Sequence, residues 1–192
     1  MKRGTAVGWS ALLLGLAGTA QLDAFPLKSE YTTIEFKACR IIKRHPDGNA
    51  YRCPGLAGYP VYVAEGDLRM FVAAGAKGEQ RRAGTQTLPA FNSIFRDKAG
   101  RATLEWRLTG TGPGMKPHAT ILRYYTERDG QKGQVLVVSK VTPTETCQVA
   151  WIDAVANSDA IERARRIADG DARTFDCAQD PRTDGATGKS PM

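Results

Sequence analysis

Four cysteines, Cys39, Cys53, Cys147 and Cys177, constrain this chain more than any other feature, and their chemistry depends on the compartment in which it folds. The N-terminus bears on that compartment. Met1-Lys2-Arg3 is a short basic opening, residues 6–18 form an uncharged, Leu-rich run, and Gly18-Thr19-Ala20 places small residues at the two positions a signal peptidase reads. The apolar run is shorter than the roughly 20 residues that a membrane-spanning helix needs. Residues 1–20 are therefore expected to be a cleaved export signal, cut after Ala20, with Ala24 the second choice because Leu22 would sit badly three positions before that cut. A lipoprotein would carry a cysteine at the cleavage point, and the first cysteine is Cys39. The expected address is periplasmic or secreted.

An even number of cysteines in an oxidising compartment reads as two disulfides. Three pairings are possible, and the two local ones, Cys39–Cys53 and Cys147–Cys177, are preferred because they fall into separate N- and C-terminal pairs. A metal site would want closely spaced cysteines or supporting histidines. The only histidines, His45 and His118, have no partner at ligand spacing. No metal and no cofactor is expected.

Loss of the leader leaves about 170 residues, enough for one domain. No later stretch is long and apolar enough to span a membrane. The formal charge of +7 falls to +5 without Lys2 and Arg3. That excess favours anionic surfaces, but the basic residues are dispersed, the tightest pairs being Arg81-Arg82 and Arg165-Arg166. With no basic stripe interleaved with aromatics, nucleic acid is not an expected partner.

Patterning points to strands joined by turns. Residues 32–43 are β-branched and apolar and read as one strand; His45-Pro46-Asp47-Gly48-Asn49 turns the chain back toward Cys53, beside Cys39. Residues 59–64 and 68–73 read as a hairpin about Glu65-Gly66-Asp67, with a local Asp67–Arg69 contact. Residues 75–87 are polar and Gly-bearing and read as a mobile surface loop. Residues 89–95 suit a short strand or a turn of helix. In residues 102–108, Leu104, Trp106 and Leu108 point one way and Glu105 and Arg107 the other. Residues 118–126 and 134–141 are strands around an Asp129-Gly130 turn, and residues 146–154 form one more.

One helix is expected after Asn157-Ser158-Asp159. Asp159 and Glu162 have capping-box spacing, Ile161, Ala164, Ile167 and Ala168 form an apolar stripe, and Gly170 ends it. The expectation is a single α+β domain over residues 21–177, with a mainly antiparallel sheet, open or barrel-like, one C-terminal helix and two disulfides. The polar, Pro/Gly-rich residues 178–192 are expected to be a disordered tail.

No catalytic constellation is legible. Gly185-Ala186-Thr187-Gly188-Lys189-Ser190 resembles the end of a phosphate-binding loop, but Thr183 stands where its first glycine belongs and no helix can follow before Met192. Gly110-Thr111-Gly112-Pro113-Gly114 lacks the dinucleotide-binding spacing. His118 could act as a base but has no visible nucleophile, and Glu65 with Asp67 is explained by a turn. Trp106 and Trp151 read as core anchors rather than sugar-stacking platforms.

Two stretches carry a resemblance. The first holds Tyr51-Arg52-Cys53-Pro54-Gly55, Gly58-Tyr59-Pro60-Val61-Tyr62-Val63 and Asp67-Leu68-Arg69. The second holds Cys147-Gln148-Val149-Ala150, Asp153-Ala154, Ala156-Asn157, Ala164-Arg165, Ile167-Ala168 and Phe175-Asp176-Cys177. Together they resemble a group of uncharacterised exported proteins of alphaproteobacteria. The resemblance implies a periplasmic address and paired cysteines, and brings no activity and no catalytic residues. The functional expectation is a non-enzymatic exported domain that binds an envelope component, such as an anionic polymer or a protein. The alternatives are an inhibitor of a wall-degrading enzyme such as lysozyme, with residues 75–87 as the plug, and a hydrolase using His118.

Overall fold

Turn chemistry lays down a series of antiparallel hairpins. The computed structural model describes Met1, residues 27–56 and residues 58–192. The predicted export signal and its cleavage point fall outside the described residues. The strands are β1 (Leu27–Glu35), β2 (Arg40–His45), β3 (Gly48–Leu56), β4 (Tyr59–Gly66), β5 (Arg69–Ala74), β6 (Phe91–Ser93), β7 (Arg101–Thr109), β8 (Lys116–Arg128), β9 (Gln131–Val141), β10 (Thr146–Asp153) and β11 (Arg182–Thr183), with one helix, α1 (Ala160–Asp169). They form a larger sheet in the order β1-β7-β8-β9-β10-β11, with β6 also beside β8, and a smaller sheet in the order β2-β3-β4-β5. All pairings are antiparallel except β10 with β11. The α+β expectation holds, and the question of open sheet or barrel resolves into two sheets packed face to face.

Period-two alternation assigns the faces. Leu104, Trp106 and Leu108 of β7 join Leu122, Tyr124, Val135 and Val137 against Val61, Val63, Met70 and Val72 of the smaller sheet. Trp106 is fully buried there, and its indole N–H donates to Thr32 Oγ1 at 2.8 Å, so its burial leaves no unpaired polar atom. The other face of the larger sheet presents Ala119, Ile121, Leu136, Val138, Val149 and Ile152 to Ala160, Ala164, Ile167 and Ala168 of α1. A sheet covered on both faces explains why β8 and β9 are apolar with little alternation.

Two ion pairs register α1 on this sheet. Arg165 Nε bonds Glu105 Oε1 at 2.8 Å, and Arg107 grips both oxygens of Asp169 at 2.9 and 2.7 Å. Residues two apart on a strand are about 6.7 Å apart, and four apart on a helix about 6 Å. The Glu105/Arg107 pair of β7 therefore meshes with Arg165/Asp169 of α1. Asp159 precedes the helix as expected but makes no capping bond. Its carboxylate bonds Arg163 one turn on, at 2.8 Å, so the capping box does not form.

Both predicted disulfides are present, Cys39–Cys53 and Cys147–Cys177, with Cα–Cα distances of 4.1 and 5.7 Å. Closing loops of this size stabilises by about 3–4 kcal/mol each in the chain-entropy picture.

Four local expectations are corrected. Residues 32–43 are two strands in different sheets, broken by a short turn at Phe36–Ala38. Phe36 stacks on Tyr51 at 4.4 Å and meets Phe95 edge-on at 4.6 Å, and the Cys39–Cys53 bridge then holds the chain to β3. The β4–β5 turn is made by Asp67 and Leu68, both left-handed at φ +49° and +57°, because β4 runs on through Gly66. The Asp67–Arg69 contact is formed.

Residues 75–87 are not a mobile loop. They fold onto the smaller sheet, where a Cβ on Gly78 would lie 2.5 Å from Tyr62 Cβ. Arg81 donates to the carbonyls of Pro143 and Thr144, and Arg82 to that of Cys177. Residues 178–192 are not a disordered tail either. β11 extends the larger sheet, Ala186 and Asn157 exchange two hydrogen bonds at 2.7 and 2.9 Å, and Ser190 is buried against Asp153. Polar composition misled in both segments because their partners, backbone carbonyls for the first and chiefly the Asp153 and Asn157 side chains for the second, are distant in sequence.

Candidate functional site

The residues singled out in the sequence are mostly committed to structure. His45 is exposed in the β2–β3 turn, 3.5 Å from Asp47. Glu65 accepts from the Tyr51 hydroxyl at 3.2 Å while Asp67 pairs with Arg69, so the two carboxylates serve separate partners. Trp151 donates to Gln148 Oε1 at 2.7 Å.

His118 is buried on β8 beneath the end of α1, and neither ring nitrogen has a hydrogen-bond partner. Its Nε2 stands 3.6 Å from Asp169 Oδ1, but that carboxylate is held through both oxygens by Arg107. Burial and the Arg173 charge push its pKa below the usual 6.5, so the imidazole is kept neutral. With every cysteine among the described residues in a disulfide, the pair has no thiol to activate.

The phosphate-loop-like segment also has a role of its own. The N–H groups of Lys189 and Ser190 point at Asp153 Oδ2, at 2.9 and 2.8 Å, and the Ser190 hydroxyl at Oδ1, at 2.6 Å. Backbone donors do cradle an anion there, and it is the chain's own carboxylate.

A different cluster is left uncommitted, at a fork in the larger sheet. β7 pairs with β8 only as far as Leu104 opposite Leu122; beyond that point β6 takes its place, with Ser93 opposite Tyr125. Arg101, Ala102 and Thr103 stay paired to β1 on their other side. The gap is a cleft of about 430 Å³ walled by β7, β8 and the 94–100 segment. Arg96, Arg101 and Arg123 line it, with the hydroxyl-bearing Thr103 and Tyr125.

Arg123 is half-buried and oriented by a 3.0 Å bond to Gln134 Oε1. None of the three guanidiniums makes an ion pair among the described residues. Asp97 also lines the cleft, its Oδ1 accepting from Ala99 N at 2.9 Å, so the three guanidiniums outnumber one carboxylate there; Glu35, opposite Arg101, bonds Lys37 at 2.8 Å.

Beside the cleft lies a groove of about 650 Å³ that shares Arg96 and Tyr125 with it. Leu68, Phe91 and Val155 line the groove, and they are 72%, 46% and 45% exposed. Leucine at a left-handed turn position is disfavoured by about 1–2 kcal/mol relative to an ordinary conformation. The turn is held by the Leu68 carbonyl, which accepts from Asn92 N at 3.0 Å. Asn92 is buried and takes Met70 N and the Ala90 carbonyl at 3.0 and 2.9 Å, so Phe91 beside it projects from a fixed backbone. Arg69 lies over the Phe91 ring, 5.7 Å from its centroid.

Protein-family models, curated proteins and solved structures contain no match to the chain.

Proposed function

We propose that the chain is an exported, non-enzymatic binding domain whose ligand is an envelope component carrying a carboxylate or phosphate group, held in the Arg96–Arg101–Arg123 cleft. One observation carries the reading: three guanidiniums line one cleft, and none makes an ion pair among the described residues. Guanidinium forks match the two oxygens of a carboxylate or phosphate, and strands hold two of the three in place. The periplasmic or secreted address rests on the three-part leader and the resemblance to exported proteins. It also fits the two disulfides and the lack, among the described residues, of a helix long and apolar enough to cross a membrane.

The test is NMR of arginine Nε–Hε signals in the oxidised protein, titrated with inorganic phosphate and with acetate at low and high salt. Saturable shifts confined to Arg96, Arg101 and Arg123, weakened by salt and lost in Arg123→Gln, are expected. Equal, unsaturated shifts at arginines over the whole surface would refute the assignment.

A further inference from the structure

We infer that the ligand is a single-chain amphiphile, its anionic head in the arginine cleft and its apolar chain along the Leu68–Phe91–Val155 groove. The inference rests on the arginine cleft being the anion site, and adds what lies beyond the head. The cleft and the groove adjoin, with Arg96 and Tyr125 in the lining of both, so a ligand seated on the guanidiniums has the apolar groove directly beside it.

Charge sets its polarity. At the groove's outer rim Glu127 and Lys132 are cross-strand partners and offset each other, which leaves the net positive charge at the arginine end. An anionic head is therefore drawn to the cleft, and the chain lies toward Leu68 and Val155. The two volumes, about 430 and 650 Å³, fall in the size range of small-molecule sites.

The apolar lining is also costly to expose without a ligand. Among the described residues, Leu68, Phe91 and Val155 are three of the few large hydrophobic side chains left open to solvent, and they meet in this groove although they come from three distant parts of the chain. Leu68 reaches it only by adopting a turn conformation that glycine or asparagine would take with less strain. A bound alkyl chain covers all three.

The experiment is calorimetric titration of the oxidised protein with inorganic phosphate and then ethyl, butyl and octyl phosphate, each as a monomer in solution, alongside the matching carboxylates. Affinity is expected to rise by about three- to four-fold for each methylene that enters the groove. Leu68→Gly and Phe91→Ser should flatten that rise and leave inorganic phosphate unaffected, while Arg123→Gln should weaken every member alike. The tighter series identifies the head as phosphate or carboxylate.

Octyl phosphate binding no tighter than inorganic phosphate would overturn the amphiphile and leave the anion site standing. Failure of every anion to bind would remove both. Binding to vesicles of anionic lipid with none to monomeric alkyl phosphates would overturn the inference in favour of a membrane surface.

Discussion

Replacing Asp153 by asparagine should release the C-terminal segment while the rest of the fold stays intact. The carboxylate is fully buried and accepts five hydrogen bonds: from Val155 N, Ala156 N and the Ser190 hydroxyl on Oδ1, and from Lys189 N and Ser190 N on Oδ2. Asparagine keeps the volume but offers one acceptor and one donor. In either orientation at least two backbone N–H groups lose their acceptor and face an amide donor.

Hydrogen bonds to a charged group are worth roughly 1.5–3 kcal/mol each, so two lost bonds amount to about 3–6 kcal/mol. Water reaching the opened site returns part of this, which places the expected loss at about 3–4 kcal/mol. For a domain of this size that lowers Tm by about 6–16 °C. The assay is thermal melting with limited trypsin digestion, reading cleavage after Lys189 and Arg182. In a chain cut back to remove residues 185–192, the same substitution should cost little, because its partners there are gone.

Burial alone would raise the Asp153 pKa, but the hydrogen bonds from Ser190, Ala156 and Lys189 prevail and hold it below 3.8. Its contribution is thus present above the ordinary carboxylate value and lost as pH falls through the lowered folded value. A Tm for Asp153→Asn within about 1 °C of the parent, or an equal cost in the shortened chain, would refute the assignment of the tail to this carboxylate.

Two further outcomes follow from the α1 interface. Arg107→Met should cost about 3–5 kcal/mol in urea denaturation because it strands Asp169; the double change with Asp169→Leu should cost less than the single one, and strict additivity would count against the pair. His118 is held neutral in the folded chain, whereas the unfolded chain takes up a proton near 6.5. Its contribution is therefore complete above that value and shrinks as pH falls below it, by at most about 1.4 kcal/mol per pH unit. His118→Gln should flatten the stability profile between about pH 7.5 and 5.5, and an unchanged slope would show that His118 is solvated.

Local chemistry made much of this fold legible. The Asp129-Gly130 turn, the alternation of Leu104, Trp106 and Leu108, the apolar stripe of α1 and both cysteine pairings follow from residues close in sequence or from one periodicity. The break at Phe36–Ala38 was not legible, because it is set by Phe36 stacking on Tyr51 of β3 and meeting Phe95 of the segment after β6 edge-on. The tail looked unstructured because its anchor, Asp153, lies over thirty residues upstream.

The candidate site was the least legible of all. Arg96, Arg101 and Arg123 are scattered and carry no motif; the one local signal is Arg123 interrupting an otherwise apolar strand face. Their convergence depends on β7 leaving β8 at Leu104 and β6 entering in its place. By itself the sequence determined the hairpins, the helix and the staples, because turn conformation and side-chain period are properties of a few neighbouring residues. Only the tertiary structure decided where the sheet forks and which charges are left without partners, because strand order and ion pairing join residues that the chain holds far apart.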